Sequence, residues 1–333
     1  MTAPLVRVRD LHVRFVSKDA TVQAVNGVDF DLMPRETLCI LGESGSGKSV
    51  TLRALMRLNP PRRTVMTGTV MVGGHDMVAV PEALLPNIRG SVVSMIFQEP
   101  MTALDPVFTV GTQIRETIRR HEGVSGAEAG RRALELLELV QIPSAKRRLG
   151  AYPHELSGGL RQRAMIAIAL SCRPKVLLAD EPTTALDATV QIQILLLLRR
   201  LQAEMGLGVV FVTHDLGVAG EVADRVAVMY AGRFIEEGPV GALMREPLHP
   251  YAQGLLGATV HAGVRGRRLV TIPGAPPDMR DLPPGCAFAP RCGVVEPVCL
   301  AAVPEARVPV PGRAARCVRV MDQVQGQVQE VAA

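Results

Sequence analysis

Residues 42–49, Gly42-Glu43-Ser44-Gly45-Ser46-Gly47-Lys48-Ser49, fit G-x-x-x-x-G-K-[ST], a spacing built for phosphate. Gly42, Gly45 and Gly47, with Ser44 and Ser46 between them, let backbone N–H groups close around phosphate oxygens, while Lys48 reaches the β- and γ-phosphates and Ser49 ligates Mg²⁺. Backbone N–H groups at Val50 and Thr51 extend the cradle toward the α-phosphate. Alone, the octet says nucleotide and leaves kinases, GTPases and many ATPases open.

Two carboxylates, Asp180 and Glu181, end the apolar run that starts at Val176. Alternation along a strand aims them differently: Asp180 suits the Mg²⁺ shell, directly or through water, and Glu181 suits the general base that polarises an attacking water. The alternative is a pair of strand-end acids capping the next helix, and the upstream phosphate loop favours the catalytic reading. Ser157, Gly158 and Gly159 stand before the helical run Leu160–Leu170, where free N–H groups and the positive dipole end make an anion site. The alternative there is an ordinary Ser N-cap. Because the chain already has a phosphate loop, a second anion site is best explained by a sandwich dimer in which each copy of the segment meets the partner's nucleotide.

Cys286, Cys292, Cys299 and Cys317, spaced C-x₅-C-x₆-C-x₁₇-C, lie in a Pro/Gly-rich tail without an apolar core of its own. A reducing compartment disfavours disulfides, so the thiols point to a metal centre that supplies cohesion. Zinc usually shows C-x₂₋₄-C pairs, which are absent; four thiolates on loops suit a [4Fe–4S] cluster, with zinc second and no metal third. Cys39 and Cys172 sit in apolar runs and read as core.

These groups need positioning elements. Val6, Val8, Leu11, Val13 and Phe15 nearly alternate, Val28–Leu32 reads as a second strand, and Thr37–Leu41 as a short buried strand running straight into the phosphate loop. Ser49–Met56 continues as a helix, the strand–loop–helix context the motif requires. From about 100 to 172 the pattern is helical, with a capping box predicted at Ser125 and Glu128. Val176–Ala179 and Val209–Val212 read as buried strands around a helix at about 189–205, so the sheet is mostly parallel. Repeated prolines after about 257 forbid long helices, and residues 321–333 carry no pattern and are expected to be disordered.

The net charge of +5 is spread over 333 residues without a basic block, and aromatics make up 3%, which argues against a nucleic-acid surface. The apolar runs are too short for a membrane helix and the start lacks a secretory signal, giving the expectation of a cytoplasmic chain.

Leu156-Ser157-Gly158-Gly159-Leu160-Arg161-Gln162-Arg163, set beside the phosphate loop, resembles the signature of the ATP-binding cassette (ABC) family. The resemblance implies an α/β P-loop ATPase with a mostly parallel core sheet, an N-terminal antiparallel β-subdomain, a helical signature lobe and a small irregular Cys-containing C-terminal extension. It also implies roles: Gln98 as the Q-loop residue near Mg²⁺ and the lytic water, His214 as the switch histidine on the γ-phosphate, Asp187 as the D-loop aspartate across the dimer, and Phe15 stacked on adenine, with a core role as the rival for Phe15. Mg²⁺ is then held through Ser49, Gln98 and Asp180. Three positions depart from the usual pattern: Leu160 for Gln, Val50 for Thr and Arg35 for Gly.

Residues 97–106, 152–163, 180–187, 247–251, 272–276 and 284–292 are similar to dipeptide/oligopeptide importer ATPases. That branch implies a cassette over 1–257 and an extension over 258–320. It implies a second, different ATPase subunit, two permease subunits, a substrate-binding protein acting through the permease, and a peripheral location on the cytoplasmic face of the inner membrane. Nickel or another small solute is the alternative cargo. From other classes, a soluble ABC ATPase of nucleic-acid transactions lacks the expected second cassette or coiled coil, and a nucleotide-gated regulator without turnover sits poorly with Glu181 and His214.

Overall fold

The computed structural model describes residues 3–184, 186–258 and 271–320; the tail from Met321, expected to be disordered, lies outside them. In chain order the strands are β1 (Val6–Val16), β2 (Thr21–Leu32), β3 (Thr37–Leu41), β4 (Thr64–Val72), β5 (His75–Asp76), β6 (Val93–Ile96), β7 (Val176–Asp180), β8 (Gly208–Thr213), β9 (Arg225–Tyr230), β10 (Arg233–Pro239), β11 (Arg307–Val310) and β12 (Arg313–Ala315). The chain divides into two compact units, one of Met1–Arg7, Asp31–Thr37 and Val70–Val212, the other of Val8–Phe30, Leu38–Thr69 and Thr213–Ala333.

In the first unit β6, β7 and β8 run parallel, in registers such as Ile96↔Ala179 and Asp180↔Val212. Every residue of β7 and β8 is buried, as expected of parallel strands covered on both faces. The helices of this unit include Val110–Glu122, Gly126–Leu139, Gly158–Leu170 and Ala188–Met205. The predicted capping box is half realised: Ser125 accepts from the Glu128 N–H at 3.2 Å, but the Glu128 carboxylate turns outward to Arg131 at 2.6 and 3.1 Å. An exposed Arg one turn ahead outcompetes the backbone of the cap.

In the second unit β3 pairs with β9 in parallel, and β10 then adds antiparallel to β9. The tail extends this array: β12 pairs antiparallel with β10 and β11 with β12. These two strands were not legible as periodicity, because they are short and β11 contains Pro309 on an edge, where a missing N–H is tolerated. Strand β1 buries Val6, Val8, Leu11 and Val13 completely. The three-residue step from Val8 to Leu11 is taken at Asp10, whose φ of 49° marks a local irregularity that resets the alternation.

The tail is tied down by one buried carboxylate. Glu236 of β10, 1% exposed, accepts the Leu248 N–H at 2.9 Å and the His249 N–H at 2.7 Å, and takes Arg313 of β12 at 3.3 Å. Burial pushes its acidity constant up, partly offset by those donors. The tail thus borrows its core from the cassette, with Leu248, Ala315 and Val320 packed together and Cys317 against them.

Candidate active site

The phosphate loop joins β3 to the helix Lys48–Leu55, as its sequence requires. Gly45 and Gly47 take φ of 79° and 106°, and Gly47 caps the helix without a side-chain acceptor, which leaves the positive end of the helix facing the loop. Gly42 is required by space: a Cβ there meets the Met229 carbonyl oxygen at 2.3 Å and Ser46 Oγ at 2.9 Å. Lys48 is 5% exposed and donates to the carbonyls of Gly42 and Glu43 at 2.7 and 2.9 Å, which sets its cation inside the loop. Ser46 Oγ is buried with no hydrogen-bond partner among the described residues. A buried hydroxyl without a partner, in a loop whose residue spacing suits phosphate, is satisfied by a phosphate oxygen, so these residues fit a nucleotide. Phe15 on β1 is partly exposed, and Val50 and Ser49 lie in the first turn of the helix.

His214 is exposed just after β8 and precedes Asp215, which caps the helix Leu216–Val222 by accepting from Gly217 and Val218 at 2.7 and 3.3 Å. The cap fixes where the backbone leaves the strand and therefore where the histidine stands.

In the first unit, three predicted residues come together at the carboxyl end of the parallel strands. Asp180 is buried at the end of β7. Glu181 follows with φ of 44°, a left-handed turn that a glutamate adopts at a cost of about 1–2 kcal/mol. Its carboxylate accepts from Thr184 Oγ1 at 2.9 Å and from Gln98 Nε2 at 3.4 Å. A strained carboxylate held by a hydroxyl and faced by an amide is the arrangement a general base needs. Ser157 caps the helix Gly158–Leu170, accepting from Leu160 at 3.4 Å, and Asp187 caps Ala188–Met205, accepting from Val190 at 3.0 Å. The two helix starts pack at Gly159, where a Cβ lies 2.8 Å from Val190. Arg35, noted as a departure from Gly, keeps the conformation of Gly with φ of 63°, and its guanidinium donates to the Ala203 carbonyl at 3.0 Å.

The four tail cysteines are free, half-buried and line one small cavity with Phe288, Pro304 and Arg316. Gly285 allows this convergence, since a Cβ there meets the Cys299 carbonyl oxygen at 2.2 Å, and the Cys286 N–H donates to that oxygen at 2.7 Å. Burial raises the Cys286 and Cys317 thiols, with the neighbouring cysteines adding to the shift. Among the described residues no three His, Cys, Asp or Glu side chains are gathered closely enough for a single metal ion. Cys39 is core as expected, whereas Cys172 is only half-buried.

Sequence reading missed one part of the site. Arg291, one residue before Cys292, forks onto Glu43 of the phosphate loop at 2.9 and 3.1 Å, and Tyr251 Oη accepts the Glu43 N–H at 3.0 Å. The signals were present in Pro247–Tyr251 and Pro284–Cys292, which carried only a likeness and no chemistry.

Comparison with known proteins agrees with this geometry. Residues 25–184 match the family "ABC transporter", and residues 235–299 match "Oligopeptide/dipeptide transporter, C-terminal region", a match that begins within β10. A "Putative peptide import ATP-binding protein" of Brucella abortus (strain 2308) is 49% identical over 316 residues, 95% of both chains. One of Brucella melitensis biotype 1 is 48% identical over 328 residues, 95% of this chain and 97% of that one. Among solved structures, the ATP-binding cassette MJ0796, a dimer bound to ADP and Pi, matches with a TM-score of 0.63 at 30% identity, covering 71% of this chain and 98% of that chain. The cbiO1 protein of Clostridium perfringens, part of the ABC transporter complex cbiONQ, matches at 0.62 and 26% identity, covering 73% and 92%. With its phosphate loop, strand-end carboxylates and oligopeptide-type C-terminal region all present, the chain belongs to the ATP-binding subunits of the ABC transporter family.

Proposed function

We propose that this chain is the ATP-hydrolysing subunit of an importer of di- and oligopeptides. The observation that carries the reading is that similarity to the Brucella proteins runs through both the cassette and the cysteine-bearing extension, over 95% of the chain. Lys48 and the loop amides hold the triphosphate, Glu181 takes the proton of the attacking water, and His214 and Gln98 orient that water and the γ-phosphate. Mg²⁺, held by Ser49, Asp180 and Gln98, supplies charge neutralisation when bound. Ser157, Gly158, Gly159 and Asp187 act across a dimer on the partner's nucleotide, a reading supported by the dimeric state of the cassette relative. Ser157→Arg is then expected to leave ATP binding by the isolated chain intact and to stop hydrolysis by the assembled complex. An isolated, folded variant that no longer binds ATP overturns the trans role.

The partner ATPase is a second, different subunit, and two permease subunits with a substrate-binding protein complete the machine on the cytoplasmic face of the membrane. Attachment comes through those permeases; no helix among the described residues is long and apolar enough to cross a membrane. Isolation of the native complex and identification of its chains tests this composition.

The four free thiols on one cavity support a [4Fe–4S] cluster held by Cys286, Cys292, Cys299 and Cys317, whose role is cohesion of a segment without its own core. The lack of C-x₂₋₄-C pairs in the sequence weighs against zinc. Anaerobic purification is expected to give a brown protein with about four irons per chain. A colourless product, or full iron after Cys292→Ser and Cys299→Ser together, overturns the assignment.

A further inference from the structure

Every polar handle of Glu43 is held by a fixed partner. Its N–H goes to Tyr251 Oη at 3.0 Å, its carbonyl takes Lys48 Nζ at 2.9 Å, and its carboxylate takes the Arg291 guanidinium through two bonds of 2.9 and 3.1 Å. Of these partners, Arg291 comes from the extension, and it is itself pinned. Its Nε donates to the Pro273 carbonyl at 2.8 Å, its Nη1 also meets Tyr230 Oη at 3.2 Å, and its cation lies 5.8 and 5.9 Å from the Tyr230 and Phe288 ring centres. Those rings belong to one packed cluster, with Tyr230–Tyr251 centroids at 4.6 Å and Phe288 at 5.4 Å from each. Arg291 is 8% exposed. A two-bond guanidinium–carboxylate pair in such surroundings is far less screened than a surface pair, and breaking one side leaves an uncompensated charge.

The charge is what matters at this location. Glu43 is the second residue of a loop whose task is to bind a polyanion, and an unpaired carboxylate there repels the phosphates that the loop amides attract. We propose that Arg291 is a positioning residue for the nucleotide: by neutralising and fixing Glu43 it keeps the phosphate loop competent, so that the C-terminal extension sets the cassette's affinity for ATP. Because Arg291 lies in the short turn between Cys286 and Cys292, folding of the cysteine-lined module and the shape of the phosphate loop share one contact. This rests on ATP binding at the loop, and neither on what the cysteines hold nor on the cargo.

A mere staple between extension and cassette predicts a lower melting temperature with unchanged nucleotide affinity, and the experiment separates the two. Binding of ATP and of AMP to the full-length chain is measured by calorimetry for wild type, Arg291→Ala, Glu43→Gln and the double variant, with Lys48→Ala as control. Arg291→Ala is expected to weaken ATP about tenfold, about 1.4 kcal/mol, and AMP much less, because the repulsion acts on the added phosphates. Glu43→Gln in the Arg291→Ala background removes the orphaned anion and is expected to return ATP affinity to within about threefold of wild type. Wild-type affinity in Arg291→Ala, or a double variant as weak as the single, overturns the proposal. Should Arg291→Ala not fold, Arg291→Lys, which keeps the charge and loses the fork, is expected to bind ATP several-fold more weakly, with recovery by Glu43→Gln; no loss, or no recovery, has the same force. Wild-type binding in Lys48→Ala would instead indict the ATP site itself.

Discussion

Glu181→Gln separates chemistry from architecture more cleanly than any other change at this site. One oxygen of the Glu181 carboxylate, Oε2, accepts from both Thr184 Oγ1 at 2.9 Å and Gln98 Nε2 at 3.4 Å, so a glutamine carbonyl placed there can keep both bonds. The left-handed φ of 44° belongs to the backbone and is equally strained with either side chain. Folding stability is therefore expected to change by less than about 1 kcal/mol, the scale of one neutral hydrogen bond. The proton acceptor is lost entirely, and a general base is worth about 10²–10⁴ in rate, or about 2.7–5.5 kcal/mol of barrier at 1.36 kcal/mol per decade. Single-turnover phosphate release from the assembled complex, with ATP binding and melting temperature measured on the same preparation, gives all three quantities. ATP affinity and melting temperature near wild type with hydrolysis slowed at least a hundredfold, roughly the lower bound for a lost base, is the expected result. Turnover within a few-fold of wild type would refute the assignment of Glu181 as base, and an equal fall in stability and rate would refute the separation of roles.

Two further changes test the neighbouring architecture. Gly42→Ala drives a Cβ to 2.3 Å from the Met229 carbonyl oxygen, whereas Gly45 has open space around it and only its φ of 79° to satisfy. Gly42→Ala is thus expected to abolish the thermal shift produced by ATP and Gly45→Ala to weaken it; the reverse order would contradict the loop geometry. His249 is buried and its acidity constant is lowered to about 3 by loss of solvation, below the 6.5 of the unfolded chain. Stability is full above about 6.5 and falls as pH drops from there toward 3, because the unfolded chain binds a proton that the folded one refuses. Asparagine can replace the Nδ1 acceptor that caps Tyr251 N–H, so His249→Asn is expected to flatten the change in urea midpoint between pH 7.5 and 5. Parallel pH profiles for the two proteins would contradict this.

Much of the nucleotide site was legible because its signals are local. Continuous apolar runs gave β3, β7 and β8, and the glycine spacing gave the loop. Asp187 and Ser157 were legible as functional candidates, and the structure adds that both serve as helix caps, a role the sequence had offered as the alternative for Ser157 alone. What was not legible depends on contacts distant in sequence. Arg291 meets Glu43 across 248 positions, and Arg313 meets Glu236 across 77, pairings that no periodicity encodes. Strand β12 forms on the edge that β10 offers and β11 on β12, and both are too short, with a proline inside β11, for their own residues to announce it.

The central claim, that ATP hydrolysed at this loop drives peptide import, is tested most directly in proteoliposomes holding the complete transporter, with uptake of a labelled oligopeptide and ATP hydrolysis measured together. Uptake is expected to require ATP and to vanish, together with the hydrolysis this subunit contributes, when Lys48 is changed to Ala. Peptide uptake at the wild-type rate in the Lys48→Ala complex, or vigorous hydrolysis by the wild-type complex without peptide movement, would contradict it.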